Sequence, residues 1–188
     1  TLATVRRDRV AKLVLIGAPP LGDIQGPAIR ELQRDTAKHA LRLSRGLFGA
    51  SSLLTPFLEE SVDAPRHMPA VLIGRYLAPY LGRDGANHLL ALAGALEEEE
   101  LEELSPPGIR QETLVVRGTR DRWCTKAIAE NLADQLPSGR YETVDEVGHL
   151  VPEEAPEVLA ELVWRFVHGG SAARERSPDA ARNFGGRS

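Results

Sequence analysis

The sequence predicts an α/β fold: a parallel sheet whose strands are separated by a long helical insertion. Three observations carry this. Short apolar runs end in glycine or turn residues. Amphipathic helical patterns follow the later runs. A leucine- and alanine-rich stretch divides the first run from the second.

The opening "TLATVRRDRV" reads as the end of an amphipathic helix. The chain starts at Thr1 and its only methionine is Met68, so the sequence is expected to be part of a longer chain. Leu13-Val14-Leu15-Ile16, closed by Gly17 and a proline pair, suits a strand buried on both faces. Read as a central strand without a neighbour on one side, it would leave an apolar edge and favour self-association. Residues 1–21 form this first unit.

Residues 22–110 read as a helical cap or lid, with helices expected over 28–48, 68–81 and 85–104. One helix suffices for a right-handed crossover, so this segment is an insertion. The acidic run Glu97 to Glu103 reads as a solvated helix end.

Residues 111–168 return to the core. "ETLVVRG" (Glu112 to Gly118) predicts a second buried strand, and "GRYETVDE" (Gly139 to Glu146) a third, more polar strand near an edge. Between them Ile128, Leu132 and Leu136 recur at helical steps until Pro137. After them "EEAPEVLAELVWRFV" predicts one amphipathic helix on Leu159, Leu162, Val163, Phe166 and Val167. Its acids Glu153, Glu154 and Glu157 suit the first turn, where the helix dipole favours them. They need no other role. Residues 169–188, rich in Gly, Ser, Ala and Arg, read as a disordered tail.

Composition narrows the function. The 188 residues carry a formal charge of -4, which gives no basis for binding nucleic acid. No apolar run reaches the ~18 residues of a membrane span. Cys124 is the only cysteine, so no disulfide framework or thiolate metal cluster is expected, and no cofactor is implied. The low cysteine count points to the cytoplasm.

Ligands of open α/β sheets bind at the carboxyl ends of the strands. Asp121 follows the second strand and His149 the third. Adjacent parallel strands would bring the two loops together. A carboxylate beside an imidazole fixes its tautomer and stabilises its protonated form. An aspartate after a strand also serves as a cap or turn residue, and a loop histidine as a plain polar one.

"TLVVRGTRDRW", with "RYETVDEVGHLVPEEAPEVLAELVWRFV", resembles the C-terminal third of the α/β-hydrolase fold. Gly118-Thr119-Arg120-Asp121 is similar to that family's Gly-x-x-Asp turn, which carries the triad acid. Gly148-His149, then Glu154 and Pro156, is similar to the segment carrying the triad base. "DRVAKLVLIGAPP" resembles the strand after the nucleophile-bearing helix, and the insertion falls where the family's cap lies. The resemblance runs roughly from Arg6 to Val167. It departs where the family often has a proline past the acid and this chain has Cys124 and Thr125.

The resemblance implies a partial α/β-hydrolase fold with Asp121 and His149 as catalytic acid and base. The family's nucleophile lies in a Gly-x-Ser-x-Gly elbow ahead of both. No such elbow occurs in the sequence: "GASSL" at Gly49 lacks the final glycine, and "GGSAA" at Gly169 lies in the tail. The nucleophile is therefore expected upstream of Thr1, and the chain alone is expected to be inactive. Complete, the protein would be an esterase-like Ser-His-Asp hydrolase of a small, apolar substrate. Phe48, Phe57, Tyr76 and Tyr80 are the candidate pocket residues. Two alternatives stay open: an aspartate nucleophile, as in epoxide hydrolases and haloalkane dehalogenases, or a non-catalytic truncated product.

Overall fold

The computed structural model describes residues 2–19, 30, 33–35, 49–81, 84–95 and 106–169. A short helix α1 (Leu2–Val5) and a 3-10 turn lead into strand β1 (Lys12–Ile16). Helices α2 (Gly49–Glu60), α3 (Ala70–Leu77) and α4 (Gly85–Gly94) follow. Then come β2 (Glu112–Gly118), α5 (Lys126–Gln135), β3 (Gly139–Val144), α6 (Val151–Glu154) and α7 (Pro156–His168). The expected helix over 28–48 and the tail lie largely or wholly outside the described residues.

The strands form one parallel sheet in the order β1-β2-β3. Side chains alternate across it because a strand has a period of two. Leu114 and Val116 join Val14 and Ile16 on one face, against Leu159, Leu162 and Phe166 of α7. Val115 joins Leu15 on the other face, against Ala129, Leu132, Ala133 and Leu136 of the α5 region. Helices cover both faces, so β2 reads as an unbroken apolar run. Val115 and Val116 are fully buried, each burial contributing ~1.5–3 kcal/mol. Flanking β2, β1 is only half-buried throughout and β3 alternates with exposed positions, as its polar sequence requires.

Lys12 anchors β1 to the helix layer. Its ammonium donates to Phe166 O at 2.7 Å, near the end of α7, where the helix dipole favours a cation.

One expectation needs correction. The segment read as a single helix from Glu153 onward is two, α6 and α7, broken at Ala155 (φ -143, ψ 59). Pro156 forces the break: its ring disfavours the helical conformation in the preceding residue, while its fixed φ suits the first turn of α7. The break leaves Glu154 on a separate short turn beside the β3 loop.

Candidate active site

The site is built where β2 and β3 end. The two loops cross closely at Gly118, where a Cβ would fall 2.1 Å from Val147 O and 2.2 Å from Gly148 O. Only glycine permits that approach.

After Gly118 the chain turns tightly to Asp121. One carboxylate oxygen, Oδ1, accepts the backbone N–H groups of Trp123 (2.8 Å) and Cys124 (2.9 Å). The other, Oδ2, accepts from His149 Nδ1 at 2.9 Å. The Asp121 side chain is fully buried and the His149 ring one quarter exposed. Burial works against the charged carboxylate. The His149 hydrogen bond, the two backbone N–H bonds and the charge on a protonated imidazole outweigh it, and the Asp121 pKa lies below its ordinary value. An ionised carboxylate only accepts, so Nδ1 of His149 is the donor in this bond, and in the neutral imidazole the lone pair then lies on Nε2.

The sequence reading missed three supports. Arg117 is buried at the end of β2. Its Nε donates to Cys124 O at 2.7 Å and its terminal nitrogen to Thr119 O and Asp121 O, both at 3.2 Å. The signal was available: a lone charge in "LVVRG", an otherwise apolar buried run. Gly17, at the end of β1, has φ +58, and a Cβ there would lie 2.8 Å from His149 Cε1. The imidazole therefore rests on a bare backbone, with Trp123 edge-on at 4.8 Å on another side. The third is Ser61, whose carbonyl accepts the N–H groups of His149 (2.7 Å) and Leu150 (3.2 Å). Its hydroxyl donates to Leu58 O at 2.6 Å.

Glu154 corrects a second expectation. Its side chain is fully buried rather than simply opening a helix. Oε1 accepts Gly148 N–H at 2.8 Å, Oε2 accepts Asp63 N–H at 2.7 Å, and His67 Nδ1 lies 3.2 Å from Oε2. Its place after Gly148-His149 is local, but nothing local marks its burial, because Asp63 and His67 come from the helical insertion.

Cys124 is buried among Val115, Ala129 and Leu132. Burial, then the Asp121 charge, push its thiol up to about 11 against the pull of Arg117. It stays protonated near neutrality and packs. Thr125, in place of the family's proline, caps α5 by accepting Ile128 N–H at 3.4 Å.

Of the candidate pocket residues, Phe57 on α2 and Tyr80 are half-buried. Tyr76 on α3 is exposed and donates to Glu153 Oε1 at 2.8 Å. Phe48 lies outside the described residues. A hollow of about 410 Å³ runs along α7, past Pro156, Leu159, Val163 and Trp164; its lining includes neither the Asp121–His149 pair nor Phe57, Tyr76 or Tyr80. No group of side chains suited to holding a metal occurs among the described residues, and no helix there is long and apolar enough to cross a membrane.

A parallel sheet with an acid after one strand and a histidine after the next defines the class: the chain has the α/β-hydrolase fold, in part. A thermophilic esterase from Thermogutta terrifontis matches 89% of the chain with a TM-score of 0.66 at 19% identity. An α/β-hydrolase fold protein from Burkholderia ambifaria matches 84% with a TM-score of 0.65 at 24% identity. The enol-lactonase of Burkholderia xenovorans LB400 matches 88% with a TM-score of 0.61 at 18% identity. The chain spans 59%, 58% and 59% of these structures. In sequence, an uncharacterized hydrolase of Bacillus subtilis (strain 168), YugF, is 34% identical over 74 residues, 39% of this chain and 25% of that protein. No protein-family model matches the chain.

Proposed function

We propose that Asp121 and His149 are the orienting acid and general base of an esterase-like hydrolytic site. One observation carries the reading: the buried Asp121 carboxylate spends one oxygen on two backbone N–H groups and the other on His149 Nδ1. A carboxylate held this way aims an imidazole and stabilises its protonated form.

His149 Nε2 takes the proton of a serine hydroxyl as it attacks a carbonyl carbon, then returns it to the leaving group. It next takes a proton from water as that water attacks the acyl carbon, and gives this proton to the serine oxygen as the acyl–serine bond breaks and the acid is released. A positioned base of this kind contributes about 10²–10⁴-fold. The esterase and lactonase similarities favour serine over an aspartate nucleophile. The serine belongs to a segment ahead of β1 in the chain order this fold follows, since the 188 residues contain no Gly-x-Ser-x-Gly. In this reading the helical insertion supplies the substrate pocket, and its leucine-rich sequence suits a small apolar acyl or leaving group.

The test is a short p-nitrophenyl ester, offered to the 188-residue chain and to the chain lengthened by the coding sequence upstream of Thr1. We expect turnover only by the longer protein, falling at least ~10³-fold in His149→Ala. Turnover by the 188-residue chain that depends on His149 would place the nucleophile within it. A longer protein without activity would remove the hydrolase reading.

A further inference from the structure

We infer that Glu154 is a positioning residue that lets the helical insertion set the aim of His149. This rests on the reading of His149 as a base held by Asp121.

The segment Ser61 to His67, which follows α2, meets the His149 loop and α6 through three residues, Ser61, Asp63 and His67. Ser61 O accepts the N–H of His149 and of Leu150. Glu154 then joins the two segments: one oxygen holds Gly148 N–H, the other holds Asp63 N–H, and His67 lies against the second oxygen. The two successive peptides that lead into His149 are thereby each held, Val147–Gly148 by Glu154 at the Gly148 nitrogen and Gly148–His149 by Ser61 at the His149 nitrogen. The imidazole hangs directly from the second peptide. Its orientation toward Asp121 follows from the position of the Ser61 to His67 segment.

The chemistry requires a carboxylate. Two backbone donors, Gly148 N–H and Asp63 N–H, converge on Glu154 from separate segments, and a carboxylate offers an oxygen to each. A glutamine in its place has one oxygen and would turn an amide N–H toward one of the two donors. A buried donor left unpaired moves away from its neighbour or toward water. Either movement shifts the peptide that carries His149.

The readout is the low-field proton resonance of His149 Nδ1–H in its bond to Asp121, assigned by its loss in His149→Gln. It reports the aim of the ring, not the stability of the fold. We expect the resonance in the unmodified chain and its loss in Glu154→Gln at a temperature where circular dichroism shows the variant folded. Leu136→Ala is the control for lost stability, since Leu136 is buried beside Gly139 at the start of β3, the end of the strand away from His149; it should keep the resonance. His67→Ala, a milder change at a partly exposed side chain, should broaden it and provides the test if Glu154→Gln does not fold.

An unmoved resonance in folded Glu154→Gln, or in His67→Ala where Glu154→Gln is unfolded, overturns the inference. Loss in Leu136→Ala as well reduces Glu154 to a structural role and also overturns it. Absence of the resonance from the unmodified chain removes the Asp121–His149 pairing itself, and the proposed function with it.

Discussion

The loops that carry Asp121 and His149 leave neighbouring strands at the same edge, yet they are held in opposite ways. The acid loop is held by its own neighbours. Its carboxylate binds N–H groups two and three residues ahead, and Arg117, the residue just before Gly118, ties three of its carbonyls. The base loop is held from elsewhere. Ser61, Glu154 and Asp121 fix its backbone and its imidazole, and Glu146 N–H reaches Thr119 Oγ1 at 2.9 Å. It also contains Glu146 at φ 58, a conformation that costs a non-glycine residue about 1–2 kcal/mol. A loop in a costly conformation persists only where outside contacts over-determine it. One loop is therefore a local motif, and the other is a product of assembly.

The sharpest way to break this contrast is to remove the local brace. Arg117→Met keeps a similar apolar stem in a buried site and deletes every donor. Carbonyls of Cys124, Thr119 and Asp121 lose their partner together, and each unpaired buried acceptor costs ~1–3 kcal/mol. We expect a loss of about 3–4 kcal/mol in urea unfolding, near the upper range for one substitution. A loss under about 1 kcal/mol would show that the Asp121 turn stands without Arg117.

A smaller effect is expected at the joint between the loops. Asp121→Asn offers one oxygen where two are used, so either the Trp123–Cys124 N–H pair or the His149 N–H faces another donor. The loss should be about 2 kcal/mol near neutrality, the scale of hydrogen bonds to a charged group. Its pH dependence has a definite sign. The carboxyl pKa is lowered in the folded state. Its contribution is therefore complete above the unfolded value of about 4 and is lost as the pH falls through the folded value. Urea midpoints of the two proteins should differ near pH 7 and converge in acid. A gap that widens in acid would contradict the direction of the shift.

The same contrast explains what the sequence could disclose. Asp121 was legible because its turn, Gly118 to Asp121, is written in consecutive residues. His149 was legible because adjacent parallel strands bring their loops together whatever else the chain does. The strands were legible because burial on both faces demands unbroken apolar runs. Arg117 could have been found, as a charge in such a run. Gly17, Ser61 and Glu154 could not. Gly17 matters because β1 places it under the imidazole, and Ser61 acts through a carbonyl that every residue possesses. Glu154 reads as a helix-opening acid because glutamates belong there; its burial depends on a segment far off in sequence, Asp63 being 91 residues away. Pattern reading sees a residue's neighbours in sequence, and these three act through neighbours in space.

The smallest expected effect belongs to the most visible bridge. The Arg120 guanidinium pairs with Asp63 Oδ1 at 3.2 Å and with Glu146, joining the acid loop to both the insertion and the base loop. The Asp63 and Glu146 charges raise its pKa, but a guanidinium is charged at any ordinary pH. The side chain is half exposed, so water and salt screen the pairing. The backbone N–H of Arg120 holds Val147 O at 2.9 Å, and Arg120→Ala keeps that bond. We expect no measurable change in Tm at about 0.15 M salt. A small decrease should appear near 0.01 M, where screening extends to ~30 Å. A large decrease at both would mean that exposed charge, rather than Ser61 and Glu154, holds the base loop. The His149 loop would then be tied chiefly to the acid loop beside it, and its independence from that loop would be lost.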